Sequence, residues 1–257
     1  MSGLADQITV IVLTHNEEDN IARTLERLTW AKQVLVVDSG STDGTLSIVA
    51  GYLNAEVVTR PFDSFAGQCN FALSQVKTPY VLSLDADYVL SEALVAEIGR
   101  LEEETLVSGY RAGFIYCIFD KPLRGTLYPP RTVLYRRDRA RYEDFGHGHA
   151  VQIEGAVRDL SGRIFHDDRK PISRWFASQQ TYARQEADFL LAAPRGALRF
   201  ADKVRLGMVL APILVPLHTL FIKGCILDGR AGWFYGLQRL LAETMIAIAL
   251  LDRKLRP

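Results

Sequence analysis

Four short apolar runs punctuate the start of the chain: ITVIVLT (8–14), QVLVVDS (33–39), AEVVTR (55–60) and YVLSLDAD (80–87). Each is rich in Val, Ile or Leu and bounded by polar or turn residues, a pattern that predicts buried strands. Between the first two lies EEDNIARTLERLTW, where Ile21, Leu25 and Leu28 recur at i, i+4 and i+7. That spacing is one apolar stripe on a helix. TLSIVAGYL, AGQCNFALSQV and SEALVAEIGRL fill the later gaps with helical patterns. Alternation at this pitch predicts an α/β fold: a mostly parallel sheet, helices on both faces and right-handed crossovers.

From about 105 to 170 the pattern turns β-rich, with GYRAGFIYCIF, RTVLYRRD and AVQIEG separated by turn signals. These segments predict a second half of the same domain with antiparallel strands. Beyond 190 the chain is apolar and helical. VRLGMVLAPILVPLHTLFIKG is interrupted by Pro212, Pro216 and His218, whereas a transmembrane helix needs about 20 apolar residues. FYGLQRLLAETMIAIALLDRKLRP carries Arg239 and Glu243 inside and basic residues at its end, and Arg195, Arg199, Lys203 and Arg205 precede the first segment. Apolar faces flanked by cations point to helices lying in the interface of an anionic leaflet. Ordinary packing, a dimer seam and a membrane-penetrating hairpin are the alternatives. The expected organisation is one domain over 1–190, in halves of 1–104 and 105–190, and a helical membrane-associating region over 191–257.

Composition narrows the partners. The chain has 257 residues, long enough for a sizeable core, and thirty basic residues balance thirty acidic ones. With no global field to recruit nucleic acid, electrostatics must be local. Cys69, Cys117 and Cys225 have neither disulfide-framework nor zinc-ligand spacing, which fits a reducing compartment. The opening MSGLADQ lacks the basic start and apolar run of a secretory signal. The expected location is cytoplasmic, peripheral on the inner face of the cytoplasmic membrane.

Parallel α/β sheets bind ligands outside the carboxyl ends of their strands. There this chain places THNEE, DSGSTDGT and DADY, so polar residues collect at one edge. Asp85 and Asp87 stand two apart; on a strand they would share a face and repel. A divalent cation relieves that repulsion, and carboxylate oxygens suit Mg²⁺ or Mn²⁺, with water and substrate phosphates completing the shell.

In this order and spacing, ITVIVLTHNEEDNI, VLVVDSGSTDGT and VLSLDADYVL resemble the family 2 glycosyltransferases of the Rossmann-like GT-A fold. YPPRTVLYRRDRARYEDFGHGHAV, IFHDDRKPISRW and GCILDGRAGWFYG resemble the bacterial branch that builds lipopolysaccharide core, including the inner-core β-1,4-glucosyltransferase type. The resemblance implies a nucleotide diphosphate sugar along the strand edge and a metal bridging the D-x-D carboxylates to the diphosphate. Thr14, Asn16 and Glu17 match the loop that flanks the nucleotide. Asp38 matches the acidic position facing the base or ribose. Relatives often have a second aspartate where this chain has Ser39, and an arginine where it has Cys69. Asp38, Asp43 and Gly44 also suit a plain turn and helix cap.

Inverting sugar transfer needs a base at the acceptor hydroxyl and stabilisation of the departing diphosphate. YEDFGHGH offers Asp144 first and Glu143 second, by resemblance to the family's acidic motif, with His147 and His149 as further candidates. In HDDRK, His166 could be a third metal ligand, and Arg169 and Lys170 could hold the diphosphate. Trp175 could be a sugar platform or a core residue. The expected reaction moves a hexose, glucose favoured, from a UDP-sugar to a lipid-linked cell-envelope saccharide. A polyprenyl-phosphate acceptor, a nucleotidyltransferase and a non-catalytic sugar-nucleotide-binding protein are the alternatives. THNEEDN lacks the glycine that a nucleotidyltransferase phosphate loop needs after strand one.

Overall fold

The computed structural model describes residues 4–145 and 148–256. The chain divides into two compact units, one made of the residues up to 120 together with 128–169, the other of 121–127 together with 170 onward.

In the first unit, β1 (Ile8–Thr14), β2 (Gln33–Asp38), β3 (Ala55–Thr59) and β4 (Tyr80–Asp85) alternate with α1 (Ile21–Glu26), α2 (Thr45–Val49) and α3 (Phe65–Gln75). The four strands are parallel neighbours in the order β3-β2-β1-β4, and their ends lie within two residues of the apolar runs. Nearly every residue of β1 and β2 is buried. Covered on both faces, such strands read as continuous apolar runs without alternation. α1 stops at Glu26, short of the predicted stripe, yet the turn that follows still buries Leu28 with Ile21 and Leu25.

The chain continues through β5 (Tyr88–Leu90), α4 (Glu92–Ile98), β6 (Val107–Ile118), a two-residue β7 (Lys121–Pro122) in the second unit's segment, β8 (Arg131–Arg136), β9 (Ala140–Phe145), β10 (Gly148–Ile153) and β11 (Ala156–His166). The sheet extends as β4-β8-β6-β11-β5, while β9 and β10 form a separate hairpin. β8 is antiparallel to both neighbours, as is β11 to β5, but β6 and β11 run parallel. The second half is therefore mixed, because the long excursion between Ile118 and Ala156 provides the crossover a parallel pair requires. Gly162 lets β11 lie against α4: a Cβ there would come within 2.4 Å of the Leu94 Cα.

The second unit holds α5 (Ile172–Ala192), α6 (Phe200–Leu206), α7 (Leu210–Leu217) and α8 (Arg230–Leu255). α7 runs into a wide turn in which the Lys223 N–H donates to the His218 carbonyl. Ala187, Leu190, Leu198 and Leu250 form its core. The boundary expected at 190 falls inside α5. That helix is mostly polar and buries only Ala183, Glu186, Ala187 and Leu190, too sparse a stripe to stand out as an apolar run.

Candidate active site

Two polar loops at the carboxyl ends of β1 and β2 are laced together. Thr14 Oγ1 donates to Asp38 Oδ1 at 3.0 Å. The Asn16 N–H donates to Ser41 Oγ at 2.8 Å, and Asn16 Oδ1 accepts from the Thr42 N–H at 2.7 Å. Asn16 has φ of 56°, a left-handed conformation that asparagine tolerates better than most side chains. The Glu17 N–H donates to Thr45 Oγ1 at 2.7 Å. Asp43 accepts from Thr45 and from the Glu18 N–H. Asp38 is fully buried and accepts from Thr14, the Gly40 and Ser41 amides and the Ser41 hydroxyl. Burial would raise its pKa, but these donors outweigh it and hold the carboxyl below its ordinary range. Asp38 thus anchors its own loop.

Asp85 ends β4, paired in register with Leu13. Asp87 does not continue the strand: it lies with Ala86 in a tight turn between β4 and β5. The strand alternation expected for the two carboxylates is thus replaced by a turn, fixed where the Ala86 carbonyl accepts from Thr24 Oγ1 at 2.7 Å. His166, the last residue of β11, pairs in register with Tyr88 and Tyr116. Its Nε2 lies 3.0 Å from Asp87 Oδ2. The rings of Tyr88, Tyr116 and Tyr128 meet the imidazole edge-on at centroid distances of 5.2, 4.9 and 4.8 Å. Burial opposes charge on the imidazole, but the carboxylate of Asp87, then those of Asp85 and Asp168, raise its pKa overall. Nδ1 is buried without a hydrogen-bond partner.

This donor set fits a hard divalent ion. Mg²⁺ and Mn²⁺ favour carboxylate oxygens and take one or two protein carboxylates plus water and phosphate oxygens. Among the described residues no three His, Cys, Asp or Glu side chains converge as a ready-made cage. Asp85 and Asp87 therefore suit an ion shared with a diphosphate better than one held by protein alone.

β9 carries the two carboxylates considered as base. Tyr142 and Asp144 share one face and Glu143 takes the other. Tyr142 is buried and its hydroxyl meets that of Tyr135 at 2.8 Å, so Asp144 points to the side where the sheet lies. Asn70 of α3 grips the strand twice: its Nδ2 donates to the Tyr142 carbonyl and its Oδ1 accepts from the Tyr142 N–H, each at 2.9 Å. Asp144 Oδ1 accepts the Ala66 N–H at 3.0 Å, a first-turn amide of α3 with no intrahelical partner. Cys69, beside Asn70, is buried. Its thiol pKa is pushed up by burial and then by the charges of Asp85 and Asp144, with Arg131 opposing. The buried thiol thus lies within the electrostatic reach of both carboxylates. His147 lies outside the described residues, as does the side chain of His149.

Arg131, at the start of β8, stacks 4.7 Å from the centre of the Tyr128 ring. Burial opposes its charge, while Tyr88, Tyr128 and Asp85 favour it and raise its pKa overall. Its charge reaches the Cys69 thiol. Nothing in the sequence pattern singled it out, because tertiary folding alone brings β8 to α3.

In the HDDRK segment, Arg169 donates to Asp167 Oδ2 at 3.1 Å from both Nε and Nη2 and also pairs with Asp120. Asp167, nearly fully buried, accepts from Arg23 Nη1 and the Asp120 N–H, each at 3.1 Å. Buried Asn20 joins these parts: Nδ2 donates to Glu17 and Asp168, and Oδ1 accepts from Arg23 and the Arg169 N–H. Arg169 is thus engaged by the carboxylates of Asp167 and Asp120. Lys170 and Trp175 belong to the second unit. Asn20, Arg23 and Asp167 are members that sequence reasoning passed over; a polar residue at the head of an apolar helical stripe was the available signal.

The model of Glycosyl transferase family 2 matches residues 9–158. The lipopolysaccharide core biosynthesis glycosyltransferase LpsC of Rhizobium meliloti is 28% identical over 198 residues, 70% of each chain. An uncharacterized glycosyltransferase of Rickettsia conorii is 40% identical over 97 residues, which span 37% of this chain and 34% of that protein. The structure of a mannosyltransferase from Pyrobaculum calidifontis in complex with GDP-Man and Mn²⁺ superposes with a TM-score of 0.55 at 18% identity, covering 96% of this chain and 88% of that one. A family match over more than half of the sequence and a shared architecture over nearly all of it agree with the strand order above: the chain belongs to glycosyl transferase family 2, has the GT-A fold and is a glycosyltransferase.

Proposed function

We propose that this glycosyltransferase moves a hexose, glucose in the first instance, from a UDP-sugar to a lipid-linked cell-envelope saccharide such as lipopolysaccharide inner core, with inversion and with Mg²⁺ or Mn²⁺. The observation that carries the reading is the carboxylate pair at the end of β4, with Asp85 closing the strand and Asp87 in the turn after it, 3.0 Å from His166 Nε2. The name of the Rhizobium relative supports the acceptor class, and the Mn²⁺ in the Pyrobaculum complex supports the metal. The working location is the inner face of the cytoplasmic membrane, where such acceptors are built.

Asp85 and Asp87 would hold the ion, which when bound neutralises charge on the diphosphate leaving group. Thr14, Asn16 and Glu17 shape the loop beside the nucleotide, and Asp38 fixes that loop from beneath. His166 orients the Asp87 carboxylate. Asp144 accepts the proton of the acceptor hydroxyl as its oxygen bonds to the anomeric carbon. The bond from that carbon to the diphosphate breaks on the opposite face, releasing the nucleoside diphosphate. The Asp144 carboxylate meanwhile keeps its place through the Ala66 N–H.

The test is a panel of UDP-sugars and GDP-mannose with Mg²⁺ or Mn²⁺, scored for slow donor hydrolysis and then for transfer to lipopolysaccharide core or polyprenyl phosphate. Asp87→Asn should retain the fold and lose at least a hundredfold in turnover, in keeping with the weight of electrostatic stabilisation in catalysis. Unchanged turnover in that variant rejects the metal-dependent reading. Transfer to polyprenyl phosphate alone rejects the saccharide acceptor.

A further inference from the structure

Resting on the reading that the enzyme acts at a membrane, the second unit shows how it holds on. That unit carries fifteen Lys and Arg against six Asp and Glu, an excess of nine positive charges hidden in a chain of zero net charge. All six carboxylates are ion-paired inside the unit. Arg205 holds Glu186, Asp202 and Glu243; Arg124 holds Asp228; Arg253 holds Asp188; Arg256 holds Asp252. Six carboxylates cannot balance fifteen cations, so the unit keeps its excess of positive charge. It complements an anionic surface.

Beside this charge lie two exposed apolar stripes. On α7 and the wide turn after it, Leu210, Ile213, Leu214, Leu217 and Phe221 follow helical spacing and are each about half exposed, from 46% to 57%. On α8, Trp233, Leu237, Leu240 and Ile248 are exposed at 41–60%. Exposed Lys223 closes the first stripe, and exposed Arg230 opens the second. Apolar area bordered by cations is the signature of a surface that enters the headgroup and acyl boundary of an anionic leaflet.

α8 has 26 residues and is long and apolar enough to cross a bilayer by length and composition. Its opposite face argues against crossing. There Tyr235, Gln238, Glu243 and Leu250 are buried within the unit, and Glu243 bonds to Arg205 of α6 at 2.8 Å, which also holds Glu186 of α5. A spanning α8 would carry this ion-paired cluster into hydrocarbon or tear it apart.

We infer that the second unit docks on an anionic phospholipid leaflet with α7 and α8 in the plane of the interface, their exposed stripes in the acyl boundary and Lys203, Lys223 and Arg230 at headgroup level. The full chain should float with vesicles containing phosphatidylglycerol and stay unbound with phosphatidylcholine alone. Alkaline carbonate should strip it from the vesicles. Shallowly brominated lipid should quench fluorescence, and Trp233→Phe should abolish that quench. The double variant K203E/K223E should lower the partition constant by at least fivefold per charge site, consistent with the value of each surface cation. I213E/L217E should abolish flotation. Slow donor hydrolysis in vesicle-free buffer should stay unchanged in both variants, so a failed transferase reading and a failed docking reading are separable. Retention after carbonate would overturn the inference in favour of a span. Equal binding to neutral vesicles would overturn the anionic partner. A dimer in sedimentation velocity that I213E/L217E dissolves, with no flotation, would give the face to a second copy of the chain.

Discussion

Asp144 and Glu143 are neighbours in sequence and opposites in situation. Both side chains are exposed, but Asp144 shares the Tyr142 side of β9 and accepts an α3 amide, while Glu143 lies on the other face. Asp144→Asn keeps the acceptor for the Ala66 N–H but removes the basic oxygen, so kcat should fall about 10²- to 10⁴-fold, whereas Glu143→Gln should stay within a few-fold. Steady-state kinetics on both variants checks the assignment, and equal losses would defeat it. Asp38 gives a second prediction. Its pKa is lowered in the folded state, so the ionised carboxylate contributes stability above its unfolded pKa of about 3.9, and that contribution disappears as pH falls through the folded value. Asp38→Asn should therefore lower stability at pH 7 by about 1–3 kcal/mol, with the gap narrowing toward pH 3 in urea titrations.

At the scale of elements, the proposed base depends on how α3 holds the hairpin. Asn70 exchanges two hydrogen bonds with the backbone of Tyr142, and Asp144 lies two residues further along. Asn70→Ala leaves one donor and one acceptor of β9 unmatched, which should cost about 1–3 kcal/mol. Kinetically it should lower kcat more than it raises KM for the donor, because the base moves while the β1 and β2 loops stay. α3 also carries Cys69, which is buried like Cys117 and Cys225. Burial raises the pKa of all three thiols, that of Cys117 to about 11. The native protein should show no fast-reacting thiol with Ellman's reagent at pH 8, and three after denaturation.

For the molecule as a whole, a net charge of zero conceals two opposite units: fifteen basic against twenty-four acidic residues in the first, fifteen against six in the second. On the function and docking proposed above, this separation would give each unit its own electrostatic task, metal and diphosphate chemistry in one and an anionic surface in the other. In the second unit Arg205 is the pivot of three carboxylates, two of them buried. Arg205→Ala strands those charges and should destabilise that unit by about 3–5 kcal/mol. Calorimetry should show its transition moving down while donor binding by the first unit persists at low temperature. A single unshifted transition would remove the cluster from its structural role.

The sequence alone determined what repeats or runs: four apolar strands, the helices between them, the polar loops at their carboxyl ends, the D-x-D pair and the apolar tail. These were legible because burial on both faces writes itself as continuous Val, Ile and Leu, and because turn chemistry needs particular residues at fixed spacing. Tertiary structure decided which polar groups are already engaged. It bound Asp38 within its own loop and Arg169 to Asp167 and Asp120, turned the chain between Asp85 and Asp87, stacked Arg131 over the Tyr128 ring, and ran β6 parallel to β11. A charged side chain is assigned by whichever partner is nearest in space, and Coulomb attraction and hydrogen bonding take no account of separation along the chain. Periodicity finds the faces of elements; only packing sets which faces meet.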